Sequence, residues 1–225
     1  MKVISGSHDL ISHKAAALMH GQLESKPGSN FAFAWGQSPR LAYQYLAELS
    51  MQEETSFAEA RAFAIDEYLG LRRIGEELLR KDLYDQTDLS RAACFNPLDV
   101  DNYDGLIEDL GGIDLMVLGL GRNGHIAACE PGTPFDRGTH LTALAASTIE
   151  DNFGKYGERL LMARTLGPAS IMKAATVLLL ICGEQKQEAA RRALYGAVTV
   201  DVPASILQTH ENLIVLADFE LPPGG

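Results

Sequence analysis

The chain has 225 residues, 46% hydrophobic and 22% charged, enough for one full core without cross-links. Its formal net charge of −11 disfavours nucleic acid and anionic membranes as partners, so any anion site must be built from local donors. The three cysteines, Cys94, Cys129 and Cys182, are too few and too widely spaced for a disulfide framework or a structural zinc site, while the absence of a membrane-length apolar run or a signal-like N-terminus leads to the expectation of a soluble, cytoplasmic protein.

Helical spacing of Leu10, Ile11, Ala15, Leu18, Met19 and Leu23 predicts a helix over 8–24. A short buried strand follows at 31–35, then a helix over 39–49 that has Pro39 in its first turn. A strand is expected at 61–65 and helices at 75–84 and 103–110. The clearest central strand is 113–118, apolar on both faces except for Asp114. Further strands are expected at 140–145, 176–182 and 213–217, with a helix over 184–194; the pattern over 148–168 selects no element. Alternating strands and helices without repeats or linkers predict one α/β domain over 1–225 with a largely parallel sheet.

Three segments each follow a strand, where open α/β sheets place their sites. In the first, Gly36, Gln37, Ser38 and Pro39 can present backbone N–H groups to a phosphate, or form a plain turn with Ser38 as the helix cap. The second, Asp66-Glu67-Tyr68, offers a carboxylate as general base, or a capping Asp beside a solvated Glu. The third runs from Gly119 to Pro131 and formally contains G-x-G-x-x-G. However, Glu130-Pro131-Gly132 interrupts the helix that a dinucleotide site needs, so nicotinamide binding is not expected. What remains is a glycine-rich loop presenting His125 with Glu130 nearby, a pairing suited to acid–base chemistry. Asp66, His125 and Glu130 as metal ligands rank below that reading, since no HExxH or Cys/His cluster accompanies them.

In order, these segments resemble the glucosamine-6-phosphate deaminase/isomerase family, whose marks are a Gly-Gly-Thr-Pro-like turn, an Asp-Glu-Tyr loop and a Gly-x-Gly-x-Asp-Gly-His-Ile-Ala-x-x-Glu-Pro loop. The resemblance extends to Cys182-Gly183-Glu184-Gln185-Lys186 and Val202-Pro203-Ala204-Ser205. The sister 6-phosphogluconolactonases share a similar Gly-His loop, but there the residues after His run on to Leu-Phe-Pro; Glu130 favours the deaminase side. The chain departs from the family at Asn123, where Asp is usual, and at Gln37 and Ser38, which follow Trp35. It also departs at Arg72-Arg73 and in a short C-terminal stretch after Ala217 that lacks the tail of the regulated enzymes. Asn123 and the 183–187 run are similar to the galactosamine-6-phosphate branch.

The resemblance implies a three-layer, Rossmann-like, mostly parallel sheet with helices on both faces. It also implies cofactor-independent conversion of glucosamine 6-phosphate or galactosamine 6-phosphate to a ketohexose phosphate and ammonia. Under it, His125 handles the ring oxygen, Glu130 orients His125, Asn123 adjoins them in the catalytic group, and Asp66 carries the C2 proton. Lys186, Ser38 and the Gly36–Gln37 amides hold the phosphate, with Glu67, Gly121 and Gly124 as further substrate-binding positions. Lys155 or Arg40 would add charge, and Cys129 is a small filler. No metal or cofactor is implied, and the partner is a small sugar phosphate met by a monomer or homo-oligomer. Two other classes use the same residues: a lactonase needing His125 but not Asp66, and a non-catalytic sugar-phosphate-binding module.

Overall fold

The computed structural model describes residues 1–69, 73–153 and 162–221, with backbone alone at 152–153. In chain order the elements are β1 (Lys2–Ser5), α1 (His8–Ser25), β2 (Asn30–Phe33), α2 (Gln37–Gln52), β3 (Arg61–Ala64), β4 (Asp66–Leu69), α3 (Ile74–Asp82), β5 (Ala93–Phe95) and α4 (Tyr103–Asp109). They continue as β6 (Leu115–Gly119), β7 (His140–Ala143), α5 (Ala146–Phe153), β8 (Met162–Thr165), α6 (Pro168–Ile171), β9 (Thr176–Ile181), α7 (Gln187–Tyr195) and β10 (Leu213–Ala217).

Seven strands form the main sheet in the order β1-β10-β9-β6-β2-β3-β5, every neighbouring pair parallel. Side chains alternate across each strand, so a sheet covered on both faces feeds two cores. Leu115 and Val117 of β6, with Leu178 and Leu180 of β9, meet Ile11, Met19 and Leu23 of α1, Tyr43 and Leu46 of α2 and Leu79 of α3. Met116, Leu118, Val177 and Leu179 point the other way, to Tyr103 of α4, Ile171 of α6 and Ala190 and Leu194 of α7. The expected layers, helix on sheet on helix, are therefore present. Among the described residues no helix is long and apolar enough to cross a membrane.

The chain leaves β2 toward β3 on one side and β6 toward β9 on the other, although β2 and β6 are hydrogen-bonded neighbours. Their carboxyl ends therefore open a crevice where the sheet order reverses, the place where such folds bind ligands.

A second sheet, β4-β8-β7, is antiparallel. Tyr68 and Ala163 of this sheet, with Leu144 just past β7, pack against Ala128 of the loop after β6. One expectation changes here: the segment beginning at Asp66, read as a loop, is a strand. The strand expected at 140–145 is present as β7, in this small sheet. The corner is made at Ile65, whose N–H donates to Phe33 while its carbonyl accepts from Leu166. This one residue links the two sheets, and Asp66 is placed immediately beyond the carboxyl end of β3. The helix expected over 184–194 begins as a 3-10 turn, Glu184–Lys186, before α7.

Candidate active site

A cavity of about 350 Å³ lies at the crevice, lined by the ends of β2 and β6, the corner after β3, and the turn after β9. The size suits a small polar metabolite. Of the residues singled out from sequence, Gly36, Gln37, Ser38, Asp66, Gly121, His125 and Lys186 line it. Asn123, Gly124, Glu130 and Glu67 do not.

At one end α2 begins. Gly36 has φ +130°, a conformation open to glycine and strained for any L residue, and serves as the N-cap without a side-chain cap bond. Ser38 is therefore inside the helix, not its cap. The first-turn residues Gln37, Ser38 and Pro39 of this 16-residue helix line the cavity, and a helix N-terminus favours anions. Lys186, 148 positions along the chain, arrives from the 3-10 turn after β9 and donates to Ser38 Oγ at 3.1 Å. Burial holds its ammonium below the ordinary lysine range, with Cys182, Asp151 and Asp218 opposing that shift. Among the described residues Lys186 has no ion-pair partner, so an entering anion would supply its counter-charge.

The catalytic candidates lie deeper. Asp66 is only 3% exposed and accepts a 2.8 Å hydrogen bond on Oδ1 from the Trp35 indole. Burial raises its pKa to about 7, the indole opposes the rise, and neighbouring Glu67 adds to it. Tyr68, on the same face of β4, also lines the cavity. Glu67 takes the opposite face. Its fully buried carboxylate accepts from the backbone N–H groups of Tyr68, Gly75 and Glu76 and from Asn96 Nδ2. It fastens the start of α3 beneath the cavity and makes no contact with the cavity itself.

His125 is held from below. The Asn123 carboxamide oxygen accepts from the His125 backbone N–H at 3.1 Å and lies 2.7 Å from ring Nδ1. Asn123 Nδ2 donates to Glu130 Oε2 at 2.8 Å, and the other Glu130 oxygen accepts from Ala145 N–H at 3.0 Å. The carboxylate thus fixes the amide orientation, which places the ring proton on Nδ1 and leaves Nε2 with its lone pair. Glu130 itself is 3.8 Å from Nδ1. Glu130, expected to orient His125, bears on the ring both at this distance and through Asn123, with Thr148 Oγ1 a further neighbour at 3.3 Å. Burial depresses the His125 pKa, Glu130 and Asp151 raise it, and Lys186 lowers it.

Gly121 is required here for space, because a Cβ on it would lie 2.2 Å from the His125 ring. Gly124 turns the loop instead, its N–H donating to Gly121 and its carbonyl accepting from Ala204. Ala127, in the same loop, adopts φ +49°, the left-handed strain that clusters at functional sites.

Arg122 and Asp151 are among the cavity residues to which the sequence assigned no role. Arg122 lies inside the recognised loop but received no role; its guanidinium forks onto Asp151 of α5, Nε donating to Oδ2 at 2.7 Å and a second N–H to Oδ1. Asp151 falls in the stretch where no element could be selected. Arg40 pairs with Asp82 rather than the cavity, at 3.2 Å, and Lys155 and Arg72 lie outside the described residues. Cys129 is buried and donates to the Leu166 carbonyl, and burial pushes its thiol far above the reactive range. Among the described residues no group of three or more His, Cys, Asp or Glu side chains could hold a metal ion, so Asp66, His125 and Glu130 do not converge as ligands.

Residues 8–215 match the family described as glucosamine-6-phosphate isomerases/6-phosphogluconolactonase. A glucosamine-6-phosphate deaminase of Lachnoclostridium phytofermentans is 38% identical over 98% of this chain and 100% of its own. Another, from Halalkalibacterium halodurans, is 36% identical over 98% of this chain and 96% of its own. Among solved structures, a monomeric glucosamine-6-phosphate deaminase superposes with a TM-score of 0.89 at 32% identity, covering 97% of each chain. A 6-phosphogluconolactonase from Shewanella baltica shares the fold, with a TM-score of 0.75 at 17% identity over 97% of this chain and 98% of its own.

Proposed function

The chain belongs to the glucosamine-6-phosphate isomerase/6-phosphogluconolactonase family, and on that premise we propose that it converts a 2-amino-2-deoxy-hexose 6-phosphate, glucosamine 6-phosphate first among them, to a ketohexose 6-phosphate and ammonia. The observation that carries the proposal is a buried carboxylate of near-neutral pKa, Asp66, in one cavity wall with a free imidazole nitrogen on His125 and an unneutralised Lys186 beside a helix N-terminus.

The chemistry has three stages. In the first, the pyranose opens: the bond from C1 to the ring oxygen breaks, O1 loses its proton, and the ring oxygen gains one. His125 Nε2 takes and returns that proton, with Asn123 and Glu130 holding its Nδ1–H in place. In the second, Asp66 removes the C2 proton as the C1 carbonyl accepts the electron pair; the proton is returned to C1, O1 gains a proton and the amino nitrogen gives one up, leaving an imine at C2. A carboxylate that binds protons near pH 7 is strong enough to remove the proton and still able to return it. In the third, water adds to the imine and ammonia leaves. No step requires redox chemistry.

The phosphate end is read as Lys186, Ser38 and the N–H groups opening α2. Charge-assisted hydrogen bonds at contact distance outweigh a net charge of −11 that is screened over about 10 Å. The relatives named for glucosamine 6-phosphate support the gluco epimer; Asn123 and the 183–187 run keep galactosamine 6-phosphate as the second substrate to assay.

The test is ammonia release from each amino-sugar phosphate, with 6-phosphogluconolactone as a third substrate and Asp66→Asn as control. Ammonia from either amino sugar, abolished in the control, supports the proposal and ranks the epimers. Lactone hydrolysis without ammonia overturns it in favour of the lactonase. Silence on all three, with sugar phosphate still bound, overturns it in favour of a binding module.

A further inference from the structure

Trp35 is the only tryptophan of the chain. It directly follows Ala34 at the end of β2, and its indole N–H donates to Asp66 Oδ1 at 2.8 Å. Its ring stands edge-on to Tyr68, with centroids 5.1 Å apart and an interplanar angle of 84°. Beyond it, the absent side chain of Gly75 gives the ring room: a Cβ there would lie 3.2 Å from Trp35 Cδ1 and 3.1 Å from Glu67 Oε1. The ring is therefore located by β2, by β4 and by the first turn of α3, which Glu67 holds in turn.

We propose that Trp35 is a positioning residue for Asp66, its indole N–H fixing Oδ1 so that Oδ2 alone is presented to the substrate. An indole has one donor and no acceptor, so the bond has one possible sense and favours the carboxylate over the carboxylic acid. Among the described residues Oδ2 has no hydrogen-bond partner, and Asp66 lines the cavity. The proposal rests on Asp66 being the base of the proposed reaction. The titratable groups that bear on Asp66 are Glu67 and Tyr68 on its own strand and Cys129 from the loop after β6; His125 and Lys186 share the cavity. Tyr68 and Cys129 are both pushed upward by burial and stay protonated through the neutral range.

Because the one tryptophan is bonded to the one proposed base, indole emission should report the ionisation of Asp66 in the unaltered protein. The experiment has two parts. First, emission is titrated from pH 4.5 to 9 in the wild type and in Asp66→Asn. The expected result is a transition near neutral pH that the substitution abolishes; a transition that survives it arises from His125. Second, Trp35→Phe, which keeps an aromatic ring and loses the donor, is assayed across pH. Loss of a hydrogen bond to a charged group predicts kcat lower by about tenfold or more, KM within about twofold, and an acidic limb displaced upward by about one pH unit.

A merely structural Trp35 would leave the limb in place. An absent Asp66-dependent emission change, or a Trp35→Phe profile that coincides with the wild type while Asp66→Asn is inactive, overturns this proposal and leaves the base assignment standing. Full ammonia release by Asp66→Asn overturns the base assignment, and with it the role of Trp35. If Trp35→Phe fails to fold, the wild-type and Asp66→Asn titrations alone decide.

Discussion

Replacing the proposed base should make the protein more stable at alkaline pH. Asp66 is 3% exposed, and its pKa rises from an ordinary 3.8 to about 7, chiefly through burial. A carboxyl whose pKa is higher folded than unfolded holds its proton more tightly in the native state. Between about pH 4 and pH 7 the native chain binds more protons than the unfolded one, so stability falls as pH rises. Below that window the group has no effect; above it the full penalty for a buried anion is present. At 1.36 kcal/mol per pH unit the penalty approaches about 4 kcal/mol.

Asn in place of Asp66 cannot ionise and keeps an oxygen for the Trp35 bond. Its amide hydrogens lack a partner, a loss of about 1–3 kcal/mol that does not vary with pH. The pH-dependent part is therefore the informative quantity. Urea midpoints for both proteins from pH 4.5 to 8.5 should show a difference in unfolding free energy that swings toward the variant by about 2–4 kcal/mol as pH rises. At about 2–4 °C per kcal/mol for a domain of this size, melting temperatures should diverge by about 5–15 °C over the same range. Curves that stay parallel would refute the argument, because they would mean that Asp66 titrates alike in folded and unfolded chains.

Asn123→Asp sets a second carboxylate against Glu130 and beside His125, so the acidic limb of kcat/KM should move upward; an unmoved limb would deny the coupling read from the 2.7 Å and 2.8 Å contacts. Gly121→Ala forces the His125 ring aside and should lower kcat by about a hundredfold with the circular dichroism spectrum preserved; full activity would mean the ring is not held where it lies. Lys186→Met should reduce kcat/KM for a phosphorylated sugar by about 10–100-fold, with glucosamine itself unaffected, and an equal loss on both substrates would remove Lys186 from the phosphate site. Glu67→Gln removes a charge that gathers three backbone N–H groups and Asn96, and should destabilise the fold by about 2–3 kcal/mol in urea; an unchanged midpoint would show that α3 does not depend on it.

The sequence by itself determined the alternation of strands and helices, the main parallel sheet and the order of the loops that meet at its edge. These follow from local pattern: apolar runs such as 177–181 are buried on both faces, Gly36 adopts a positive φ that strains any L residue, and Gly121 stands where the His125 ring leaves no room for a side chain. The roles within those loops were only partly legible. Asp66-Glu67-Tyr68 reads as a loop because two adjacent acids carry low strand propensity. Pairing with β8 makes it a strand, and alternation then sends Asp66 and Tyr68 to the cavity and Glu67 to the start of α3.

Only the tertiary structure decided the rest, because most of the remaining relations join residues that no local spacing connects. Lys186 reaches Ser38 across 148 positions, and Trp35 reaches Asp66 across 31. Asp151 meets Arg122 from a stretch in which pattern selected no element. The interposition of Asn123 between His125 and Glu130 is local in sequence, yet it depends on the turn through Gly124 and on Ala145 anchoring the carboxylate. Spacing placed these residues together, and hydrogen-bond geometry alone fixed which of them touches the ring.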